Sequence, residues 1–239
     1  MFWVRNSRDD LVSCLPKGGR VAEIGVGQGL FAQVLLKAME PSELHLIDPW
    51  EPVSGDRYTD PSLNSADDIE VRYNRVMGMF ERERDAGQVF VHRGYSQDIL
   101  PTFDDASFDF IYVDGLHTQA ACARDLALSA PKIKPGGFLG GHDYTTLDAY
   151  LDLGYGVVEA VNGFVRGSDW MFAALTHERA PSYLLAREPE ADLFQDTLVR
   201  MLTTLSIDTR ITNFENKTMK QRLLLLPGDQ AKYLFCFDD

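Results

Sequence analysis

The chain has 239 residues, of which 45% are hydrophobic and 25% are charged, and its formal net charge is −13 at pH 7. This apolar fraction is ordinary for a globular protein, and the length fits one α/β domain with an extension. The acidic charge is spread without a basic cluster, which argues against a nucleic-acid partner because phosphate backbones would be repelled.

The sequence contains no run of eighteen or more apolar residues, and its opening MFWVRNSRDD lacks the apolar core of a signal peptide. We therefore expect no membrane partner and a cytoplasmic location. The three cysteines, Cys14, Cys122 and Cys236, are widely spaced and form no CxxC or Cys/His cluster, so we interpret them as free thiols.

The first predicted elements are an amphipathic helix at about Arg8–Leu15 and a buried strand that breaks into a glycine loop. The strand and loop are VAEIGVGQG, and the next segment, LFAQVLLKAME, carries apolar residues at helical spacing. We expect Gly25 and Gly27 to let the backbone approach a ligand where a Cβ would collide. A dinucleotide-binding GxGxxG loop would have its third glycine at position 30, which is Leu30 here.

A second buried strand, ELHLIDPW, ends at Asp48. In α/β nucleotide-binding folds an acid about twenty residues past the glycine loop binds ribose hydroxyls, and we expect Asp48 to do so without indicating which cofactor is bound. The following residues 51–65 are rich in Pro, Gly, Ser and Asp and form a long connection. We interpret them as a substrate lid that uses Arg57 and Tyr58, with plain disorder as the alternative.

The middle of the chain continues the alternation of helices and strands. A helix at about Ala66–Asp85 and the strand QVFVHRG precede GYSQDIL, and FDFIYVDGLH then predicts a strand that ends at Asp114. A helix follows, and KPGGFLGGHDY predicts a Pro-Gly-Gly turn, a short strand and a polar trio at its end. Such alternation predicts an α/β fold with a doubly wound sheet.

The end of the chain is less regular. Beyond Tyr144 we predict helices around a Gly-Tyr-Gly interruption and strands at WMFAALTHE and SYLLARE. We assign residues 1–188 to the main domain and residues 189–239 to a C-terminal extension that packs on it or forms a homo-oligomer. In this extension we predict a helix at ADLFQDTLVRMLTTL and strands at RITNF and RLLLLPG, followed by the apolar YLFCF.

The glycine loop has the pattern acid-x-G-x-G-x-G, with Glu23 two residues ahead of Gly25, and resembles the first motif of class I S-adenosylmethionine (SAM) methyltransferases. The segments IDPW, GYSQDIL, VDGLH, RDL, KPGG and GHDY resemble those of macrocin O-methyltransferase and cephalosporin-hydroxylase-like proteins, a branch of methyltransferase family 24 type. The resemblance covers residues 10–187. It implies a Rossmann-like sheet that is mostly parallel with an antiparallel last strand.

The resemblance also implies where SAM binds. In that family the glycine loop meets the amino-acid end of SAM, and an acid such as Glu23 suits its ammonium. The loop around Ser96 and Gln97 commonly passes the adenine ring, with a helix N-cap as the alternative role for Ser96. The residues carried over to SAM binding are Glu23, Gly25, Gly27, Asp48, Ser96, Gln97 and Asp114.

Two carboxylates suggest a metal site. Asp114 and Asp143 end strands that are neighbours in the usual strand order, so both should face the crevice where open α/β sheets bind ligands. Oxygen ligands favour Mg²⁺ or Mn²⁺, and such an ion would help an alcohol or phenol lose its proton. Metal-dependent relatives often have two adjacent oxygen ligands here, whereas in this chain His142 precedes Asp143. Three possibilities stay open: a metal site with fewer protein ligands, a softer metal ion, and a structural or base role for His142.

His117 is a candidate general base, because an imidazole with an ordinary pKa near 6.5 can accept a proton at neutral pH. Helix capping or a surface position is the alternative for this residue. The candidate catalytic residues are therefore Asp114, His117 and His142.

We predict a SAM-dependent methyltransferase that acts on a hydroxyl of a small molecule, such as a sugar or secondary metabolite. Two alternatives stay open. One is a nicotinamide-dependent oxidoreductase on the same scaffold, against which the missing third glycine argues. The other is a SAM-binding protein without methyl transfer, suggested by the unplaced extension and by the His-Asp pair.

Overall fold

The computed structural model describes residues 1–52, 66–226 and 230–238. The strands are β1 (Phe2–Val4), β2 (Arg20–Ile24), β3 (Glu43–Asp48), β4 (Val89–Arg93), β5 (Phe108–Val113), β6 (Ile133–Gly141), β7 (Met171–Thr176), β8 (Tyr183–Ala186), β9 (Ile207–Arg210), β10 (Thr218–Leu226) and β11 (Gln230–Asp238). The helices are α1 (Arg8–Ser13), α2 (Leu30–Met39), α3 (Ala66–Met79), α4 (Glu81–Asp85), α5 (Ser96–Ile99), α6 (Gln119–Ser129), α7 (Asp148–Leu151), α8 (Val157–Arg166) and α9 (Asp192–Thr204).

Within the described residues, nine strands form one sheet in the order β4-β3-β2-β5-β6-β8-β7-β1-β9. The strands from β4 to β6 are parallel to one another, whereas β8 runs antiparallel to both β6 and β7. The predicted doubly wound α/β sheet, mostly parallel with an antiparallel last strand in the domain, is confirmed. Strand β1, which we did not predict, extends the sheet parallel to β7, and β9 closes its edge in antiparallel orientation.

Two hydrophobic layers cover the faces of the sheet. In β5, Phe110 and Tyr112 belong to the layer that packs against α1, α2, α3 and α9, whereas Ile111 and Val113 belong to the layer beneath α6 and α8. This alternation follows from the period of two along a strand. Because helices cover both faces, the carboxyl edge of the parallel strands is left to build a site.

The helix predicted at about Ala66–Asp85 is divided into α3 and α4, because Phe80 leaves helical geometry and is buried in the core. The predicted Gly-Tyr-Gly interruption separates α7 from α8. Residues 53–65 of the proposed lid, including Arg57 and Tyr58, lie outside the described residues. None of the described helices has both the length and the apolar character needed to span a membrane.

The C-terminal extension packs onto the main sheet. Helix α9 lies against β6, where the rings of Phe194 and Phe138 are 6.2 Å apart. The prediction of a strand at RITNF is wrong. The strand in this region, β9, comes earlier and ends at Arg210. The chain then turns through Asn213, which has a left-handed backbone conformation, so that Phe214 enters the core. The boundary at residue 188 and a role in oligomerisation stay predictions.

The last two strands, β10 and β11, form a separate hairpin and confirm the strand predicted at RLLLLPG. Phe235 and Phe237 of β11 lie edge-on against Trp3, at 4.6 and 5.2 Å between ring centroids. The apolar segment YLFCF is therefore used to pack on the domain. Cys14, Cys122 and Cys236 are free, as predicted.

The glycine loop joins β2 to α2 and contacts the end of β5. Gly25 has a φ of 85°, and a Cβ at this position would lie 2.0 Å from the carbonyl oxygen of Asp114. Gly27 also has a positive φ, 54°, but a Cβ there would meet no described atom within 4 Å. Gly25 is therefore required by the neighbouring strand. Close approach of a ligand to Gly25 and Gly27 stays a prediction.

These two glycines allow a matched test of the loop. We expect Gly25→Ala to lower the free energy of unfolding by at least about 3 kcal/mol, because backbone strain and overpacking add together. Gly27→Ala should lower the free energy of unfolding by only about 1 kcal/mol, because an alanine there adopts a left-handed backbone conformation but meets no neighbouring atom. Urea unfolding of both variants measures the difference, and equal losses would contradict the proposed strand contact.

Candidate active site

The predicted site residues gather at the carboxyl edge of the sheet. Asp48 ends β3, Glu23 is the second-last residue of β2, Asp114 follows β5 and Asp143 follows β6. These four strands are consecutive in the sheet. The structure thus brings together the acids that the sequence placed at separate strand ends.

Asp48 holds the glycine loop in place. Its Oδ2 accepts hydrogen bonds from the backbone N–H groups of Val26 and Gly27, both at 2.9 Å, and its Oδ1 accepts one from Trp50 at 2.7 Å. Burial raises the pKa of Asp48, and these backbone hydrogen bonds act in the opposite direction. Sequence reasoning did not find this anchoring role, and contact with a ribose stays a prediction.

Glu23 is a buried acid with an unsatisfied oxygen. The residue is 1% exposed, and its Oε2 has no hydrogen-bond partner among the described residues. Burial raises the pKa of Glu23 well above its ordinary value, and the negative charges of Asp114 and Asp48 raise it further. Such a group costs free energy unless a donor or a cation reaches it, so its presence here points to a ligand.

Ser96 makes a contact that the sequence did not predict. Tyr95 is the N-cap of α5, so the N-cap prediction for Ser96 is wrong. The buried Ser96 hydroxyl donates a 2.5 Å hydrogen bond to Asp125 of α6. Gln97, the next residue, is exposed at the start of α5. Contact of Ser96 and Gln97 with adenine stays a prediction.

A compact cluster of three donors lies beyond the end of β5. The Nε2 atom of His117 is 3.3 Å from Oδ1 of Asp114 and 3.0 Å from Oδ2 of Asp143. The ligand atoms of the three residues all lie within 4.8 Å of one another, so a single metal ion could contact all of them. The predicted pair Asp114 and Asp143 thus gains His117 as a third donor. Thr118 is the N-cap of α6, so the capping alternative for His117 is wrong.

The end of β6 is shaped by an unusual backbone conformation at Asp143. Its φ of 56° lies in the left-handed region, which non-glycine residues seldom adopt and which often marks functional sites. His142 lies beside the cluster, with its Nδ1 3.4 Å from Oδ2 of Asp143 and 3.9 Å from Oδ1 of Asp114. The two histidines therefore share one buried carboxylate.

Charge balance in the cluster favours protonated histidines. Burial alone would lower the pKa of His117, but its hydrogen bonds to Asp114 and Asp143 and their charges raise the pKa well above its ordinary value. The pKa of His142 is raised for a similar reason. Burial acts to raise the pKa of Asp143, yet both histidines together lower it. Without a metal ion, the raised pKa of His117 favours a charge-partner role beside the two carboxylates over the predicted base role. As a metal ligand, His117 would have to release this proton.

Aromatic residues form a wall next to the cluster. The ring of Tyr155 stacks on His117 at 4.6 Å, and Tyr150 lies edge-on to Tyr155 at 5.2 Å. The guanidinium of Arg179 lies 5.4 Å from the Tyr150 ring centroid. Sequence reasoning missed these three residues. The available signal was the Gly-Tyr-Gly interruption, which gave no indication of where its tyrosine would lie.

A family model described as a methyltransferase domain, methyltransferase family 24, matches residues 22–144. No curated protein matches the chain.

Several solved structures have a similar fold. The O-methyltransferase TomG from Streptomyces achromogenes, involved in tomaymycin synthesis and solved with SAM, is 19% identical over 76% of this chain and 79% of its own, with a TM-score of 0.54. An O-methyltransferase family protein from Burkholderia thailandensis is 15% identical over 77% of this chain and 56% of its own, also with a TM-score of 0.54.

A putative rRNA methylase from Clostridium thermocellum is 12% identical over 77% of this chain and 94% of its own, with a TM-score of 0.54. At such identities these likenesses show a shared fold, whereas the family model spans more than half of the chain. The chain therefore belongs to methyltransferase family 24, within the class I SAM-dependent methyltransferases.

Proposed function

We propose that the protein transfers the methyl group of SAM to a hydroxyl oxygen of a small molecule, assisted by a divalent metal ion. The observation that supports this most strongly is the double position of Asp114. Its backbone contacts Gly25 of the glycine loop, and its carboxylate belongs to the donor cluster with His117 and Asp143. A cofactor on the loop and an acceptor at the cluster would thus lie side by side.

The residues around the glycine loop fit SAM. The unpaired Oε2 of Glu23 would accept a hydrogen bond from the ammonium of the methionine part, while the open space at Gly27 admits the ligand. When bound, SAM would supply a methyl group that passes from its sulfonium to the acceptor oxygen by in-line displacement, with S-adenosylhomocysteine as the leaving group and release of the hydroxyl proton. The protein's contribution is to hold the two reactants at near-attack distance, which can supply on the order of 7 kcal/mol or more.

The donor cluster fits a divalent ion with one nitrogen and two oxygen ligands. Because imidazole is a poor ligand for Mg²⁺, His117 favours Mn²⁺ over Mg²⁺ among the two predicted ions. When bound, such an ion lowers the pKa of a coordinated hydroxyl. The ion would be held by Asp114, His117 and Asp143. His142 would fix the orientation of the Asp143 carboxylate through its contact with Oδ2.

The acceptor proposed is a small ring compound with a free hydroxyl. Tyr155 and Tyr150 offer aromatic surface next to the cluster, and Arg179 adds a positive charge beyond Tyr150. TomG is an O-methyltransferase of tomaymycin synthesis, which agrees with such an acceptor. The net charge of −13 argues against RNA as the acceptor, although one similar fold is a putative rRNA methylase.

Labelled SAM tests the proposed activity directly. We expect the ¹⁴C-labelled methyl group of SAM to be transferred to a hydroxyl oxygen of at least one compound in a panel of catechols, phenols and hydroxylated sugars. Chelation with EDTA should abolish this labelling, and Mn²⁺ should restore it. Cofactor binding without transfer to any acceptor would favour the SAM-binding alternative, and labelling that survives chelation would contradict the metal assistance.

Glu23 should destabilise the protein when no cofactor is bound. Its folded-state pKa is raised, so between the unfolded and folded pKa values the native state keeps a proton that the unfolded state loses. Stability is therefore lost as pH rises through that window, by about 1.4 kcal/mol per pH unit. We expect Glu23→Gln to remove this slope and to melt at a higher temperature than the wild type at pH 8, while binding S-adenosylhomocysteine more weakly.

Thermal melts between pH 5 and pH 9 and calorimetric titration with S-adenosylhomocysteine measure the two effects. The exposed Glu81 of α4 provides the control, Glu81→Gln, which should change neither. A Glu23→Gln variant with unchanged cofactor affinity would exclude the proposed contact with the ammonium.

Removal of one cluster ligand should weaken metal binding. We expect Asp143→Asn to lower the affinity for Mn²⁺ by about 10-fold or more, since it replaces a charged ligand by a neutral amide. The exposed Asp148 of α7 is five residues away, and Asp148→Asn should leave the affinity unchanged. Titration of the metal-free protein with MnCl₂ measures both, and equal affinities in the two variants would rule out the site.

A further inference from the structure

Arg8 reaches the candidate active site from the N-terminal helix. Its Nη1 atom lies 3.2 Å from Oδ2 of Asp114 and 3.4 Å from the hydroxyl of Tyr112. Its guanidinium carbon lies 4.4 Å from the ring centroid of Phe31, the second residue of α2. Arg8 lies outside residues 22–144, the part of the chain that the family model covers. It therefore adds a cation to the site from a separate segment.

The backbone of Arg8 is fixed by its neighbours. Ser7 and Asp10 form a capping box at the start of α1. The backbone N–H of Arg8 donates a 2.9 Å hydrogen bond to Glu178, which also accepts one from Thr176 at the end of β7. The side chain is 27% exposed, so it is partly shielded from water. The start of α1 is thus fixed, and the partly shielded guanidinium lies against Asp114 and Phe31.

The guanidinium of Arg8 has donors to spare. An arginine offers five N–H donors, and the hydrogen bonds of this side chain to described residues all come from Nη1. Its positive charge acts on Glu23 and lowers the pKa of that acid, so the two side chains are electrostatic neighbours. Glu23 also lies opposite Tyr112 in the pairing of β2 with β5, and Tyr112 is a hydrogen-bond partner of Arg8. Glu23 thus offers an unpaired carboxylate oxygen, and Arg8 offers free N–H groups.

The amino-acid end of SAM carries the complementary pair of charges, an ammonium and a carboxylate on the same carbon. We propose that Arg8 binds the carboxylate of SAM through the N–H groups that it does not use on Asp114 and Tyr112, while Glu23 binds the ammonium. The planar fork of arginine suits a carboxylate, and charge-assisted hydrogen bonds of this kind are the strong ones. This inference rests on the proposed use of SAM. It adds a residue that would determine specificity for a cofactor that carries a carboxylate.

Two ligands that differ by one group test the proposal. S-adenosylhomocysteine has the carboxylate, whereas S-adenosyl-3-thiopropylamine lacks it and is otherwise identical. We expect Arg8→Gln to weaken binding of S-adenosylhomocysteine by about 10- to 100-fold, the loss typical for a hydrogen bond to a charged group, and to leave binding of the decarboxylated ligand almost unchanged. Arg5→Gln is the matched control, because Arg5 lies in the same segment and pairs with the distant Asp208, and it should affect neither ligand.

Calorimetric titration of the wild type and the variants with both ligands gives the result. Equal losses for the two ligands, or no loss for either, would overturn the role of Arg8 while leaving the proposed function intact. If neither ligand binds the wild type, both proposals fail together. Should Arg8→Gln not fold, Arg8→Lys keeps the charge without the fork. This second variant should narrow the wild-type preference for S-adenosylhomocysteine over the decarboxylated ligand, and an unchanged preference would overturn the proposal.

Discussion

The structure depends on one close contact between two strand ends, those of β2 and β5. The N–H of Asp114 donates a 2.8 Å hydrogen bond to the carbonyl of Ile24, and Gly25 leaves no side chain between the two backbones. The same Asp114 presents its carboxylate to His117. The loop proposed to hold the cofactor and the cluster proposed to hold the metal are thus tied together at one residue, which fixes the distance across which a methyl group would move.

Electrostatics divides the buried acids of the site into two kinds. Asp143 lies against His117 and His142, and Asp114 lies against His117 and Arg8, so their charges are compensated within the protein. Glu23 is buried without a hydrogen-bond partner for its Oε2 among the described residues. Buried polar atoms normally have a hydrogen-bond partner, and Oε2 of Glu23 does not. Such exceptions are expected at sites where a bound ligand supplies the missing partner.

The sequence was sufficient to predict the parallel strands and where they end, because both follow from hydrophobic pattern and glycine turns. The strand order, and with it the convergence of Asp114 and Asp143, was implied by the family resemblance. Arg8 could not be found in this way, since it is 106 residues from Asp114 in the chain and only tertiary packing joins them. The inward position of His117 depends on the turn before Thr118, and the three residues of β1 are too few to show a period. The hydrogen bond between the side chains of Ser96 and Asp125 likewise cannot be predicted from the hydrophobic pattern of the sequence.

On the proposed function, the glycine loop and the cluster of Asp114, His117 and Asp143 form one reaction centre. Anomalous X-ray diffraction at the manganese edge, from crystals grown with Mn²⁺ and S-adenosylhomocysteine, tests it most directly. We expect a single strong peak among the three side chains, facing the sulfur of a cofactor bound on the loop. A cofactor on the loop with no metal peak at the cluster, or a metal bound elsewhere, would contradict it.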